Sequence, residues 1–201
     1  MKNKSFLMII AIIMIAMSSQ SQVTGKMTDA RDGKVYKTVI IGTQTWMAEN
    51  LNYESYGWCY DENNSNCKKY GPLYKWKTAM EGCPSGWHLP NDAEWSKLID
   101  YLGGKSTAGG KLKSTKVWYA PNVGASNSSG FNALPGGKTS VTDPVYGAEF
   151  IGIGIQSFWW ISTESDAYTA KYLSLKNDGS DVFSCNDDKN LGMSVRCVKD
   201  K

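Results

Sequence analysis

An unbroken apolar run from Phe6 to Met17, preceded by Lys2 and Lys4, constrains the rest of the chain because it decides where that chain folds. Its twelve residues fall short of the roughly 20 needed to cross a bilayer. Ser19 and Ser21 supply small side chains just before a cut after Ser21, which is the pattern of a secretory signal peptide. The expected organisation is a signal peptide over 1–21, a short linker or edge strand over 22–34, and one domain over 35–201. One domain is also the default for 201 residues. The first cysteine after the run is Cys59, which excludes a bacterial lipid-anchored terminus. Once the signal is removed, no membrane span remains.

Export gives the five cysteines a meaning, since thiols pair in an oxidising compartment. Cys59 and Cys67 enclose a polar, turn-rich segment, and a bridge there would be local. Joining Cys83 to Cys197 would tie the end of the chain to its middle. In the chain-entropy account the short bridge stabilises by about 2.5 kcal/mol and the long one by about 5. Cys185 is left over and could be free, buried or intermolecular. Zinc is disfavoured, because the chain has no Cys-x-x-Cys pair and a single histidine, His88. The net charge of +3 includes no concentrated basic cluster, so a nucleic-acid binder is not expected.

Val35 to Ile41, the turn at Gly42 and the resumption at Thr45-Trp46-Met47 predict a β-hairpin. Pro72 predicts a short helix from its own position to Gly82. Asn91 and Glu94 have capping-box spacing, and Trp95, Leu98, Ile99 and Leu102 recur at helical intervals, which predicts a second helix ending at Gly103-Gly104. Residues 103–147 are rich in Gly, Ser, Asn and Pro and read as irregular loops anchored by Phe131 and Leu134. Strands follow at Phe150–Ile155, Ser157–Ser162, Tyr168–Leu175 and Gly192–Val198, with Asn177-Asp178-Gly179 as a turn. The expected class is α+β, with two helices against a mostly antiparallel sheet.

The segment Val39-Ile40-Ile41-Gly42-Thr43-Gln44-Thr45-Trp46-Met47-Ala48-Glu49-Asn50-Leu51-Asn52 resembles the opening signature of the Fibrobacter succinogenes major paralogous domain. The likeness continues through Cys59-Tyr60, Cys67, Tyr70-Gly71-Pro72-Leu73-Tyr74, Cys83 to Pro90, Gly130 to Pro135 and Ser194-Val195-Arg196-Cys197-Val198. That resemblance implies an exported bacterial domain with no settled activity. More distantly, Leu89 to Trp95 and Asn190 to Cys197 are similar to motifs of formylglycine-generating enzymes. This implies a C-type-lectin-like fold in which first and last strands pair and a long loop excursion shapes the ligand surface. Those enzymes use two closely spaced copper-binding cysteines before the final strand, where this chain offers Cys185 alone, and fold kinship does not carry function without the site.

Other chemistry finds little support. His88 sits between Trp87 and Leu89-Pro90 and reads as structural, and no Gly-x-Ser-x-Gly elbow occurs. Gly104-Lys105-Ser106 and Gly137-Lys138-Thr139 lack the first glycine of a phosphate loop. Glu49, Glu149 and Glu164 carry no motif of a glycosidase pair. Asp178, Asp181, Asp187 and Asp188 concentrate hard oxygen ligands near the final strands, which makes them candidate calcium ligands, although the spacing matches no complete loop motif. Trp118, Tyr119 and Tyr146 fall in the polar loops and are the candidate platform for stacking a sugar ring. The expectation is an exported noncatalytic binding module for glycan or protein at the cell surface or in the periplasm. Its oligomeric state is left open. The alternatives are an exported enzyme on the formylglycine-generating frame with different residues, and a structural surface protein.

Overall fold

The computed structural model describes residues 24–53, 57–143 and 147–201. The expected signal peptide and Tyr146 lie outside the described residues.

The chain begins with an antiparallel meander. Strand β1 (Thr24–Thr28) pairs with β2 (Val35–Ile41), and β2 pairs with β3 (Gln44–Met47) as the hairpin expected around Gly42. A two-stranded ribbon follows, β4 (Gly57–Trp58) with β5 (Leu73–Tyr74), enclosing α1 (Asn64–Tyr70). The expected helix from Pro72 is shorter: Leu73 and Tyr74 are ribbon, and α2 runs over Trp76–Gly82. Tyr74 exchanges both backbone hydrogen bonds with Met193, which holds it extended. After β6 (Trp87–His88) comes α3 (Asp92–Tyr101), where Asn91 Oδ1 accepts from Glu94 N and Glu94 Oε2 accepts from Asn91 N, each at 3.0 Å. These bonds satisfy amides that the helix start leaves open.

The polar region after 103 is more regular than expected. It contains α4 (Lys105–Leu112) and β7 (Gly136–Asp143). Strands β8 (Gly147–Ile153), β9 (Gln156–Glu164), β10 (Thr169–Lys176), β11 (Val182–Asp188) and β12 (Val198–Lys199) complete the chain. Two five-stranded sheets result, ordered β1-β2-β3-β12-β6 and β11-β10-β9-β7-β8. Every named strand pairing is antiparallel except the short β7–β9 contact, so the class is α+β with four helices among the described residues.

Side-chain alternation along β9 explains how one strand serves two cores. Successive strand residues point to opposite faces. Trp159 and Ile161 enter a cluster with Trp46, Trp95, Leu98 and Phe131, while Phe158 and Trp160 enter another with Tyr36, Met47, Tyr74 and Met193. The seam between the sheets is the wholly buried segment 191–198. It bonds outward through Leu51 N to Val195 O, Met47 N to Cys197 O and Trp160 N to Ser194 O. Both expected disulfides form, Cys59–Cys67 and Cys83–Cys197, and Cys185 is free and exposed on β11. Among the described residues no helix is long and apolar enough to cross a membrane.

Candidate functional site

The best-built exposed aromatic surface is assembled on Lys113, at the end of α4. Gly109 and Gly110 in that helix have no side chain for a reason of space. A Cβ on Gly109 would lie 2.5 Å from Ser180 O, and one on Gly110 2.4 Å from Gly124 O. The helix therefore seats two turns directly against its backbone. Lys113 itself is fully buried, and its Nζ donates to Val123 O (2.9 Å), Lys176 O (3.0 Å) and Gly179 O (2.7 Å). Three donors meet three carbonyls from two loops, which suits the ammonium's hydrogen-bonding capacity. Burial lowers the Lys113 pKa from its ordinary value, and the charge of Asp178 partly offsets this.

From that base the chain turns through Val117, whose φ of +67° is strained for a β-branched residue. The next two side chains part company. Trp118 goes inward: it is 8% exposed and its Nε1 donates to Ala133 O at 2.9 Å. Its indole is occupied by packing, which corrects the expectation that it offers a face to ligand. Tyr119 goes outward and is 62% exposed. Its amide donates to Gly154 O at 2.7 Å, and Asn177 Nδ2 donates to the carbonyls of Tyr119 (3.3 Å) and Ala120 (3.1 Å). A Cβ on Gly154 would lie 2.6–2.8 Å from three atoms of the Tyr119 ring, so the glycine is what lets the ring lie against the 152–155 turn. Exposed Val123 and Ile155 belong to segments clipped to the same Asn177. An aromatic ring backed by protein and open to solvent can stack on an apolar face with little further ordering.

The four candidate calcium ligands are not brought together. Asp178 and Asp181 precede β11 and Asp187 and Asp188 end it, so six residue steps, about 20 Å of extended chain, separate Asp181 from Asp187. Asp187 pairs with Lys138, and Asp188 Oδ1 accepts from Asn190 N at 2.8 Å. The Gly179 carbonyl faces the Lys113 ammonium, which takes an oxygen that a calcium loop would direct at its ion. Among the described residues no group of three or more His, Cys, Asp or Glu is placed to hold a metal.

His88 is held on both sides. Nδ1 lies 2.5 Å from Asp200 Oδ1, and Nε2 lies 2.9 and 3.0 Å from the Glu94 carboxylate. Burial works to lower its pKa, but the hydrogen bonds to Asp200 and Glu94 outweigh it and the net shift is upward. With both ring nitrogens engaged by carboxylates, His88 clamps β6 and α3 to the residue after β12.

A second buried cation went unnoticed in the sequence. Arg196 is fully buried on the seam. Its Nε and Nη2 donate to Asn50 Oδ1 at 3.1 and 2.7 Å, its Nη1 donates to Met47 O at 3.1 Å and also to Phe131 O, and the guanidinium lies 4.2 Å from the Phe131 ring centroid. Asn50 also accepts from Trp159 Nε1 at 2.9 Å and donates to Tyr70 O at 2.7 Å. Burial pulls the Arg196 pKa down to about 9 while the Glu49 charge opposes the shift, so the group is a cation at neutral pH. Segments distant in sequence, those of Asn50, Tyr70, Phe131, Trp159 and Arg196, thus meet in one buried polar knot. Four of them carry the motifs on which the family resemblance rests, all but that of Trp159, so those motifs mark a structural frame. Of the Tyr119 surface, Lys113, Gly154 and Asn177 were also missed. Lys113 is one of several lysines in a polar stretch, Gly154 falls in the predicted strand Phe150–Ile155, and Asn177 in a predicted turn.

No curated protein and no solved structure matches this chain. The Fibrobacter succinogenes major domain model matches residues 39–199, and it covers both the knot and the Tyr119 surface. The chain belongs to the Fibrobacter succinogenes major domain family.

Proposed function

We propose that this chain is an exported, noncatalytic bacterial recognition module, working in the periplasm or at the cell surface, whose Tyr119 face stacks on a saccharide ring. The observation that carries the reading is an exposed tyrosine ring backed by Gly154, on a backbone that Asn177 holds through the carbonyls of Tyr119 and Ala120. A ring seated against a turn on a fixed backbone has less freedom to lose on binding than one on a loose loop. We read the frame as C-type-lectin-like. What supports this is the pairing of Val198 in the last strand with Trp46 in the opening meander, and the long excursion that places the loops of residues 113–127 at one surface. Two disulfides fit an oxidising compartment.

The test is an array of neutral oligosaccharides probed with the oxidised protein, with and without calcium. The expected result is saturable binding unaffected by chelator and weakened at least about tenfold by Tyr119→Ala, a loss of roughly 1.4 kcal/mol, at unchanged melting temperature. Binding that survives Tyr119→Ala at full strength, or that requires calcium, overturns the reading. So does turnover of any arrayed sugar.

A further inference from the structure

The two five-stranded sheets end in four edge strands, β1, β6, β8 and β11. An edge leaves a row of backbone donors and acceptors unpaired and is a template for another chain, so natural edges are short, irregular or charged. Strand β6 is two residues long, β1 carries Lys26, and the β7–β8 pairing slips its register between Thr139 and Val141. Strand β11 has none of these guards. It is seven residues long, pairs with β10 without a register shift, and contains neither lysine nor proline. Among the described residues the backbone of residues 182–187 bonds to β10 and to no other segment. Helix α4 meets the strand through Val182, which shares a core cluster with Ala108 and Leu112 on the face opposite Cys185.

Cys185 is the middle residue of this strand, and its free thiol is exposed. One antiparallel self-pairing matches every residue of β11, and its two-fold axis passes through Cys185. Val182 then faces the partner's Asp188, Phe183 the partner's Asp187, Ser184 the partner's Asn186, and Cys185 the partner's Cys185. Directly opposed residues of antiparallel strands have Cα atoms about 4.5–5.5 Å apart, inside the roughly 4.4–6.8 Å that a disulfide spans, and their side chains leave the same face. The register also matches charge. Phe183, Cys185 and Asp187 share a face by alternation, and Lys176 Nζ lies 5.3 Å from the Phe183 ring centroid, in no ion pair among the described residues. The partner's Asp187 arrives opposite Phe183, so a carboxylate is brought to Lys176 at each end of the pair. A parallel stack would instead set Asp187 and Asp188 against themselves, and like charges directly opposed are destabilising.

From this juxtaposition we infer that β11 is the docking edge for a second copy of this chain, paired antiparallel about Cys185 and locked by a Cys185–Cys185 disulfide. Seven residues a side are fewer than the roughly 20–30 of a standard interface, so the covalent bond supplies the permanence. The oxidant is a low-molecular-weight disulfide. One Cys185 thiolate attacks it, forming a mixed disulfide and releasing one thiol; the partner's Cys185 thiolate then attacks the Cys185 sulfur, forming the bond between chains and releasing the second thiol. The two protons lost by the cysteines end on the released thiols. The Tyr119 face takes no part, and the inference does not rest on saccharide binding.

The test incubates the purified protein, its two native bridges intact, with oxidised glutathione and follows it by light scattering and by mass spectrometry of unreduced digests. The expected product is a dimer joined at Cys185 and absent in Cys185→Ser. The register is read in that Cys185→Ser background. Ser184→Cys together with Asn186→Cys is expected to join position 184 of one chain to position 186 of the other. That crosslinking should run at least about tenfold faster than with either substitution alone, because docking raises the effective concentration of the opposed thiol. Both positions are exposed, so the variants test pairing rather than folding. Cys185 that stops at the glutathione adduct overturns the inference. So does crosslinking of Ser184→Cys alone at the rate of the pair, which is the signature of random collision, or a dimer joined through Cys59, Cys67, Cys83 or Cys197 instead.

Discussion

Arg196 and Lys113 are both fully buried cations that pair with no carboxylate among the described residues, yet they do different work. Arg196 lies on the seam and spreads a planar fork over Asn50, Met47 and Phe131, which come from distant parts of the chain. Lys113 lies under the surface loops and gathers three carbonyls around one point. The difference teaches how cation shape follows task. A rigid, multidentate group joins elements whose geometry is already set, whereas a compact ammonium draws together turns that have little structure of their own.

The sharpest tests of that contrast are urea denaturations of the oxidised protein. The largest effect is expected one residue from Arg196: replacing both Cys83 and Cys197 by serine should cost about 5 kcal/mol, against about half that for the Cys59–Cys67 pair. A reversed order would mean the seam is held without its covalent tie. Next, Arg196→Met should cost about 3–5 kcal/mol, because Met47 O, Phe131 O and part of Asn50 lose their donor in the interior. Arg196→Lys should recover little of it, since an ammonium cannot reproduce the fork. Full rescue by lysine would erase the contrast between the two sites. Lys113→Met should cost less, about 1–3 kcal/mol, because water can reach some of the freed carbonyls. Its signature is local, with faster amide exchange at Val123 and Asn177 before global unfolding.

The smallest effect concerns His88, which shows what an exposed charged clamp contributes beside the buried cations. Its folded pKa is raised above the unfolded value of about 6.5. The stability it supplies is therefore complete below that value and is lost as pH rises through the folded pKa. A His88→Gln protein should melt a few degrees lower than the parent in mild acid and converge with it as the solution is made alkaline. A gap that widens with pH would refute the clamp.

What could be read in the sequence follows from how local its cause is. The capping box at Asn91 and Glu94, the β2–β3 hairpin, the apolar run through Trp159 and Trp160 and the short Cys59–Cys67 bridge each advertise themselves within a few residues, whereas no local signal marks Cys197 rather than Cys185 as the partner of Cys83. Helix α4 was hidden because Gly109-Gly110 argue against a helix, and they are there to admit the carbonyls of Ser180 and Gly124. Helix α1 was hidden by the weak formers Asn64, Ser65 and Asn66, while Asn63 caps it by accepting from Ser65 N. Tyr119 is exposed and Trp118 buried for one reason that the sequence hides: two aromatics in a polar loop look alike until the strained turn at Val117 sends them opposite ways. The charges of Lys113 and Arg196 could not be told from surface charges, since a buried cation is defined by oxygens that arrive from elsewhere in the chain.

The 114-residue separation between Cys83 and Cys197 sets an order of events as the polypeptide enters an oxidising environment. Cys59 waits only eight residues for Cys67, whereas Cys83 stays reactive until nearly the whole domain has emerged. The same late stretch delivers Arg196, so Asn50 and the carbonyls of Met47 and Phe131 also wait for their counterpart. Completion of this domain therefore waits for its last segment, and a chain truncated before residue 196 should, under oxidising conditions, form its early hairpin and short bridge but lack its keystone.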